Sequence, residues 1–273
     1  MSEDFSYDPV TAVDEATATG ATAKIFADIR ETMGLPILTS IWRGLASMDD
    51  SLGAVWSAAK PIYLSGHPET ALARVVEQSD LPVPELLPPT LLACAGIDIS
   101  QLEAIRTIVD AYNRSNGMNL VALAAVVSPQ ADAREEACPV TTPKWGAFPA
   151  LMARDAIDDD TWELIRHVNA FGAPSIDAHV ATLWRHLGHW PNLLALIYCA
   201  FAPLHADGSI SAATDRMIKL TRQEGARMAH WRNEDVVLSE QARNTLIGYV
   251  STPTQVARMV TIGHAIARWL PRR

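Results

Sequence analysis

Asp177 precedes Trp184 by two helical turns, with Val180 between them, so a helix through this segment would carry all three on one face. Val180 and Trp184 form the apolar stripe that should turn inward, which would take the carboxylate toward the core or a cleft. A carboxylate drawn out of water without a cationic partner is harder to ionise, and that suits a general base. A plainer explanation accounts for the same residue. Ser175 after Pro174 reads as an N-cap, Ile176 opens the helix, and Asp177 is then an acid favoured in the first turn by unpaired amides and the helix dipole.

A second polar group sits in the first half of the chain, where Asn113, Asn116 and Asn119 recur at three-residue spacing. A carboxamide both donates and accepts hydrogen bonds, so one of them in a cleft can orient a water molecule. The same residues also read as a helix junction, with Asn113 near a C-terminus and Ser115 or Asn116 capping the next helix. Ser65-Gly66-His67-Pro68-Glu69 reads as a turn entering a helix, with Glu69 in its first turn. Trp42 with Leu45, one turn on, is either core or a pocket wall whose indole N–H faces a leaving group. Arg43 and Arg185 are expected to be solvated or paired with acids. His167, His179, His186 and His189 show no HExxH spacing, and no metal site is expected. GxSxG, P-loop and GxGxxG patterns are absent, which removes the usual support for acyl-transfer and nucleotide chemistry.

The elements that must position these residues are helical. Apolar periodicity predicts helices over 21–33, 38–47, 51–63, 68–78, 91–94, 99–113 and 118–127, and no segment alternates with period two. The fold class is all-α. The chain also repeats itself: Ile41-Trp42-Arg43-Gly44-Leu45 returns as Leu183-Trp184-Arg185-His186-Leu187, and Leu52, Trp56, Ala58, Pro61 and Gly66 fall on Leu194, Tyr198, Ala200, Pro203 and Gly208. Two copies are too few for a solenoid. They predict an internally duplicated pseudo-dimer with a cleft between halves 1–127 and 161–273. The polar, proline-bearing stretch 128–160 joins them as a surface connection, and Arg268 to Arg273 is expected to be a solvated tail.

Composition sets limits on partners. Among 273 residues, 49% are hydrophobic, enough for a substantial core. Lys and Arg number 22 against 31 Asp and Glu, a net charge of −9 without a basic cluster, which argues against nucleic acid as a partner. A small anionic substrate would need a locally positive or amide-lined pocket. No apolar run is long enough to span a bilayer and no secretory signal is visible, so no membrane partner is expected and the expected location is the cytoplasm. Cys94, Cys138 and Cys199 lack disulfide or metal spacing and read as reduced thiols.

Taken together, the 25–30 segment, Gly34-Leu35-Pro36, Ile41-Trp42-Arg43, Lys60-Pro61-Ile62-Tyr63, the Tyr112 to Leu120 asparagine segment and the 183–191 segment resemble the group I 2-haloacid dehalogenases. The resemblance implies an all-α duplicated fold and a homodimer. It implies cofactor-free hydrolysis of the carbon–halogen bond of short 2-haloalkanoic acids, D and L, with inversion and without a covalent intermediate. By position, Asp177 would be the base that deprotonates water and Asn116 would hold that water, with Asn113 or Asn119 as alternative registers. Trp42 and Leu45 would line the substrate pocket, Ser175 would border it, and Glu69 with Ser65 would support it. Three other readings compete. Asp177 could attack carbon directly and form an ester. The chain could bind small acids, or act as a scaffold, without turnover. A peroxidatic helical-repeat enzyme would need a CxxC that this chain lacks.

Overall fold

The computed structural model describes residues 12–131, 136–146, 148–176 and 180–271. Among these residues there are twelve α-helices, three short 3-10 turns and no strand. Helix α1 (Gly20–Met33) buries Phe26, Ile29 and Met33 and stops at Gly34, whose left-handed backbone returns amides to the Arg30 and Glu31 carbonyls. Short α2 (Ser40–Leu45) leads to α3 (Ser51–Leu64), α4 (His67–Gln78) and α5 (Pro89–Cys94). Gly66 caps the start of α4 at φ 77°, and a Cβ there would stand 2.2 Å from the Cys138 carbonyl oxygen.

The two helices expected over 99–113 and 118–127 are one, α6 (Ile99–Val127), 29 residues long and opened by an Asp98–Gln101 capping box. The asparagine segment is therefore helix interior, and the junction expected from its composition is absent. Asn, Ser and Gly are poor helix formers because their side chains compete with the backbone or leave it free. Tertiary contacts reverse that preference here. Asn113 Nδ2 donates to the Gly263 carbonyl at 3.0 Å, and Asn119 is fully buried among three polar partners. Gly117 lets Leu72 of α4 approach so closely that a Cβ would lie 2.5 Å from its Cδ2.

After the connection come α7 (Asp159–Asn169), α8 (Thr182–Leu187), α9 (Pro191–Ala206), α10 (Ser209–Met228), α11 (Glu240–Ser251) and α12 (Val256–Trp269). No helix opens at Ile176, the last described residue before 177–179, which lie outside the described residues. Residues 171–176 are turns and bends, and α8 begins only at Thr182, where the Ala181 amide is taken by Asn169 Oδ1. Arg268 to Leu270 are no solvated tail either, because Trp269 and Leu270 are buried. The described parts of 128–160 run over the surface and tie both halves through backbone groups. Trp145 Nε1 donates to Gly34 O, Arg114 to Thr141 O, His186 Nε2 lies 3.1 Å from Pro149 O, and Arg185 donates to Met152 O.

Two apolar cores result, and neither is confined to one half of the sequence. The first joins α1–α4 to residues 118–126 of α6, the C-terminal part of α10, α11 and the start of α12. The second joins α7–α9 to residues 105–112 of α6 and the later turns of α12. Helices α6 and α12 thus pass through both cores in opposite senses, so residues 127 and 161 mark helix and loop limits, not the edge of a core.

Candidate active site

Where α6 leaves the second core and enters the first, a cavity of about 300 Å³ opens beside it. Tyr112 and Asn116 face it from α6, Thr39 and Ser40 from the start of α2, and Thr182 from the start of α8. Pro174 and Ser175 come from the preceding loop, and the α11–α12 connection supplies Thr254 and Gln255. Three helix N-termini therefore open on one space, and none of them is closed by a side-chain cap among the described residues. Of these, α12 is long enough for a substantial dipole. Amide hydrogens directed into a small cavity favour an anionic ligand.

Of the residues singled out in the sequence, Asn116 and Ser175 lie on this wall. Asp177 lies outside the described residues, as does His179. Asn116 is half-buried and its amide has no hydrogen-bond partner among the described residues, whereas Asn113 is engaged with Gly263 and Asn119 with core groups. Trp42 and Leu45 are not on the wall. Both are completely buried, Trp42 edge-on to Trp56 at 5.5 Å with its Nε1 donating to Asn119 Oδ1. Helix α2 is so short that its N-terminus meets the cavity while its apolar side fills the first core. Glu69 is elsewhere too: it pairs with Arg114 at 3.2 Å beside a separate hollow with Asp110 and His264. Ser65 Oγ is spent on the end of α3, donating to Ile62 O. Arg43 donates to Val13 O and buried Arg185 to Met152 O, so both hold backbone. Among the described residues, no three His, Cys, Asp or Glu side chains gather as metal ligands.

Sequence reasoning passed over Tyr112, Thr39 and Arg258, which the structure places on the same wall. Tyr112 OH stands 2.8 Å from His186 Nδ1, and His186 Nε2 faces a carbonyl acceptor at Pro149. Nε2 must then carry the hydrogen, so Nδ1 accepts and the phenol donates. Burial pushes the Tyr112 hydroxyl up to about 12 and holds the His186 imidazole down at about 4. The pair stays neutral near pH 7, and the Thr182 hydroxyl also hydrogen-bonds the phenol oxygen.

His186 and His264 both have pKa values lowered by burial to about 4, against an ordinary 6.5. Between these values the unfolded chain binds the protons that the folded one refuses, so stability is full above pH 6.5 and falls as pH drops toward 4. Asp28, Asp98, Asp158 and Asp207, with pKa values lowered from 3.8, contribute only below that window. Urea unfolding is expected to show a midpoint that declines from pH 6.5 to 4, with a shallower decline in His186→Gln. An unchanged slope in that variant would remove His186 from the account.

No protein-family model matches the chain. A search of curated proteins finds a configuration-inverting 2-haloacid dehalogenase of Pseudomonas sp. (strain 113), 23% identical over 243 residues, covering 81% of this chain and 78% of that protein. Among solved structures, a D-2-haloacid dehalogenase mutant in complex with D-2-CPA superposes with a TM-score of 0.77. It is 15% identical, and the match covers 94% of each chain. The likeness to the group I 2-haloacid dehalogenases holds. A D-2-haloacid dehalogenase in complex with L-LA gives a TM-score of 0.76 at 15% identity, covering 94% of this chain and 95% of that one. The all-α fold is therefore the dehalogenase fold along nearly the whole chain, and the cavity described above lies within it. Among the described residues no single helix is long and apolar enough to cross a membrane.

Proposed function

We propose that this chain is a hydrolytic 2-haloacid dehalogenase that converts short D- and L-2-haloalkanoic acids to 2-hydroxy acids. The observation that carries this reading is the meeting of Asn116 and Ser175 on one amide-lined cavity, within a fold shared with dehalogenase structures. Ser175 brings the chain to that wall two residues before Asp177. In the proposed reaction Asn116 holds a water and Asp177 removes its proton. The water oxygen forms a bond to carbon 2 from the side opposite the halogen, and the carbon–halogen bond breaks with its electron pair leaving as halide. One new C–O bond replaces one C–X bond, and the configuration inverts. Helix N-terminal amides offset charge on the substrate and the departing halide.

Trp42 and Leu45 set the position of α2 in this account, and Glu69 stabilises α4 through Arg114. Thr39, Ser40 and Tyr112 replace them as walls of the pocket. The duplicated pseudo-dimer is part of the same reading. Pro61 inside α3 and Pro203 inside α9 recur before left-handed Gly66 and Gly208, which open α4 and α10. The site then lies between copies 1–127 and 161–273. The homodimer implied by the resemblance is tested by sedimentation.

The deciding experiment measures free halide from separate D- and L-2-chloropropionate. Release from both enantiomers supports the proposal. Binding of the acids without release, by folded protein, supports the small-acid-binding alternative. Asn116→Ala is expected to lower kcat by about 10-fold or more through a misplaced water, and to leave the unfolding free energy within about 0.5 kcal/mol because its amide has no hydrogen-bond partner among the described residues. Unchanged kcat would take the water-holding role from Asn116.

A further inference from the structure

The proposed water attack leaves one charged residue of the cavity wall without a role. Arg258, in the first turn of α12, is 2% exposed yet forms part of that wall. Among the described residues lining the cavity it alone carries a formal charge. Its Nη1 donates to the carbonyls of Asn169 and Phe171, at the C-terminal end of α7. Its stem lies against Gly172, where φ is 68° and a Cβ would stand 3.2 Å from Cγ and 3.3 Å from Cδ of the arginine. Glycine at 172 thus leaves room for the arginine to reach its place. Its Nε has no hydrogen-bond partner among the described residues.

A buried guanidinium is costly unless an anion or several acceptors meet it. The two carbonyls and the negative end of α7 meet it in part, and they also fix the plane of the group. Burial lowers its pKa to about 10, with no neighbouring charge contributing. It remains protonated at neutral pH with donor capacity to spare. The chain as a whole carries −9, so an anion entering this cavity needs a local positive charge, and Arg258 is placed to supply it.

We infer that Arg258 is the residue that receives the carboxylate of a short monocarboxylic acid in this cavity, with its planar fork selecting a carboxylate over a neutral amide. The inference rests on the proposed function only for the identity of the acid; the receiving group is assigned from the cavity itself. Held there, the carboxylate is fixed against the α7 end of the wall, which leaves carbon 2 to be presented toward Asn116. Arg258 binds and orients and takes no part in proton transfer.

The test uses unreactive propionate and its neutral isostere propionamide, titrated into the full-length protein by calorimetry. The same titrations are followed by NMR of arginine Nε–H groups. Propionate is expected to bind and propionamide to bind at least about 10-fold more weakly. One arginine Nε–H signal should move with propionate and be missing from Arg258→Lys. In Arg258→Met, propionate affinity should fall about 10- to 100-fold, with Arg258→Lys intermediate and KM for 2-chloropropionate rising in the same order. Equal binding of acid and amide, no binding of propionate, or an arginine signal that stays still while propionate binds overturns the assignment. The wild-type titrations decide even if Arg258→Met fails to fold. Halide release with unchanged propionate binding in folded Arg258→Met would sink this inference and leave the dehalogenase reading intact. Arg258-dependent propionate binding without halide release would do the reverse.

Discussion

Asp177→Asn is expected to cut halide release from both enantiomers of 2-chloropropionate by about 10²- to 10⁴-fold, the range supplied by a positioned general base. Asparagine keeps the size of the side chain and can still accept a hydrogen bond from water, but it cannot take the proton. The water then attacks as a neutral molecule, and the barrier rises accordingly. The comparison is made on variant protein whose far-UV circular dichroism matches the parent. Halide release unaffected by the substitution would keep the activity and remove Asp177 as its base. Loss of release from one enantiomer alone would mean that the two substrates use different bases.

The same assay separates direct water attack from an ester on Asp177. A single turnover in heavy-oxygen water places the label in the hydroxy acid at once if water attacks carbon 2. If the carboxylate attacks, the first product carries an unlabelled oxygen from Asp177 and the label enters the protein. Both routes turn D-2-chloropropionate into L-lactate, because an ester formed with inversion is hydrolysed at its carbonyl carbon, so the label and not the configuration separates them. Inverted, labelled product from the first turnover is the expected result.

Helical periodicity makes α1, α3 and α4 readable to within a residue or so, because each carries an apolar stripe over several turns, and glycines mark the end of α1 and the start of α4. The asparagine segment was misleading for the opposite reason. Its local preference is for caps and turns, and only partners far along the chain, Gly263, Trp42, Tyr63 and Thr39, make it helical. Pro174-Ser175 likewise carries a cap signature, yet the amide at the start of α8 finds its acceptor on Asn169. Arg258 has no sequence signature at all. It stands in an amphipathic helix where a cation would ordinarily be solvated, and its burial exists only because the end of α7 packs across it. The type of the candidate site residues was thus legible where a motif carried it, while their burial was not.

Asn119 is the residue whose replacement should most damage the fold. Its Oδ1 accepts from Trp42 Nε1 at 3.1 Å and from Tyr63 OH at 2.7 Å, and its Nδ2 donates to Thr39 Oγ1 at 2.6 Å, all in the interior. Asn119→Leu conserves volume but strands those groups without water, at about 1–3 kcal/mol for each one left unpaired. Some relaxation of the Thr39 and Tyr63 hydroxyls reduces the sum, so a loss of about 3–5 kcal/mol in urea unfolding is expected. Tyr63→Phe alone should cost about 1 kcal/mol in the parent and nearly nothing in the Asn119→Leu background, because its hydroxyl is already stranded there. Additive effects of the two substitutions would show that the tyrosine and the asparagine are independent, against the geometry. Thr39 stands at the N-terminus of α2 on the cavity wall with its hydroxyl held by Asn119, so the asparagine that ties the core together also sets where one side of the pocket stands. Asn119→Leu should therefore raise KM for 2-chloropropionate even in the fraction that stays folded, whereas a core mutation remote from α2 should lower stability alone.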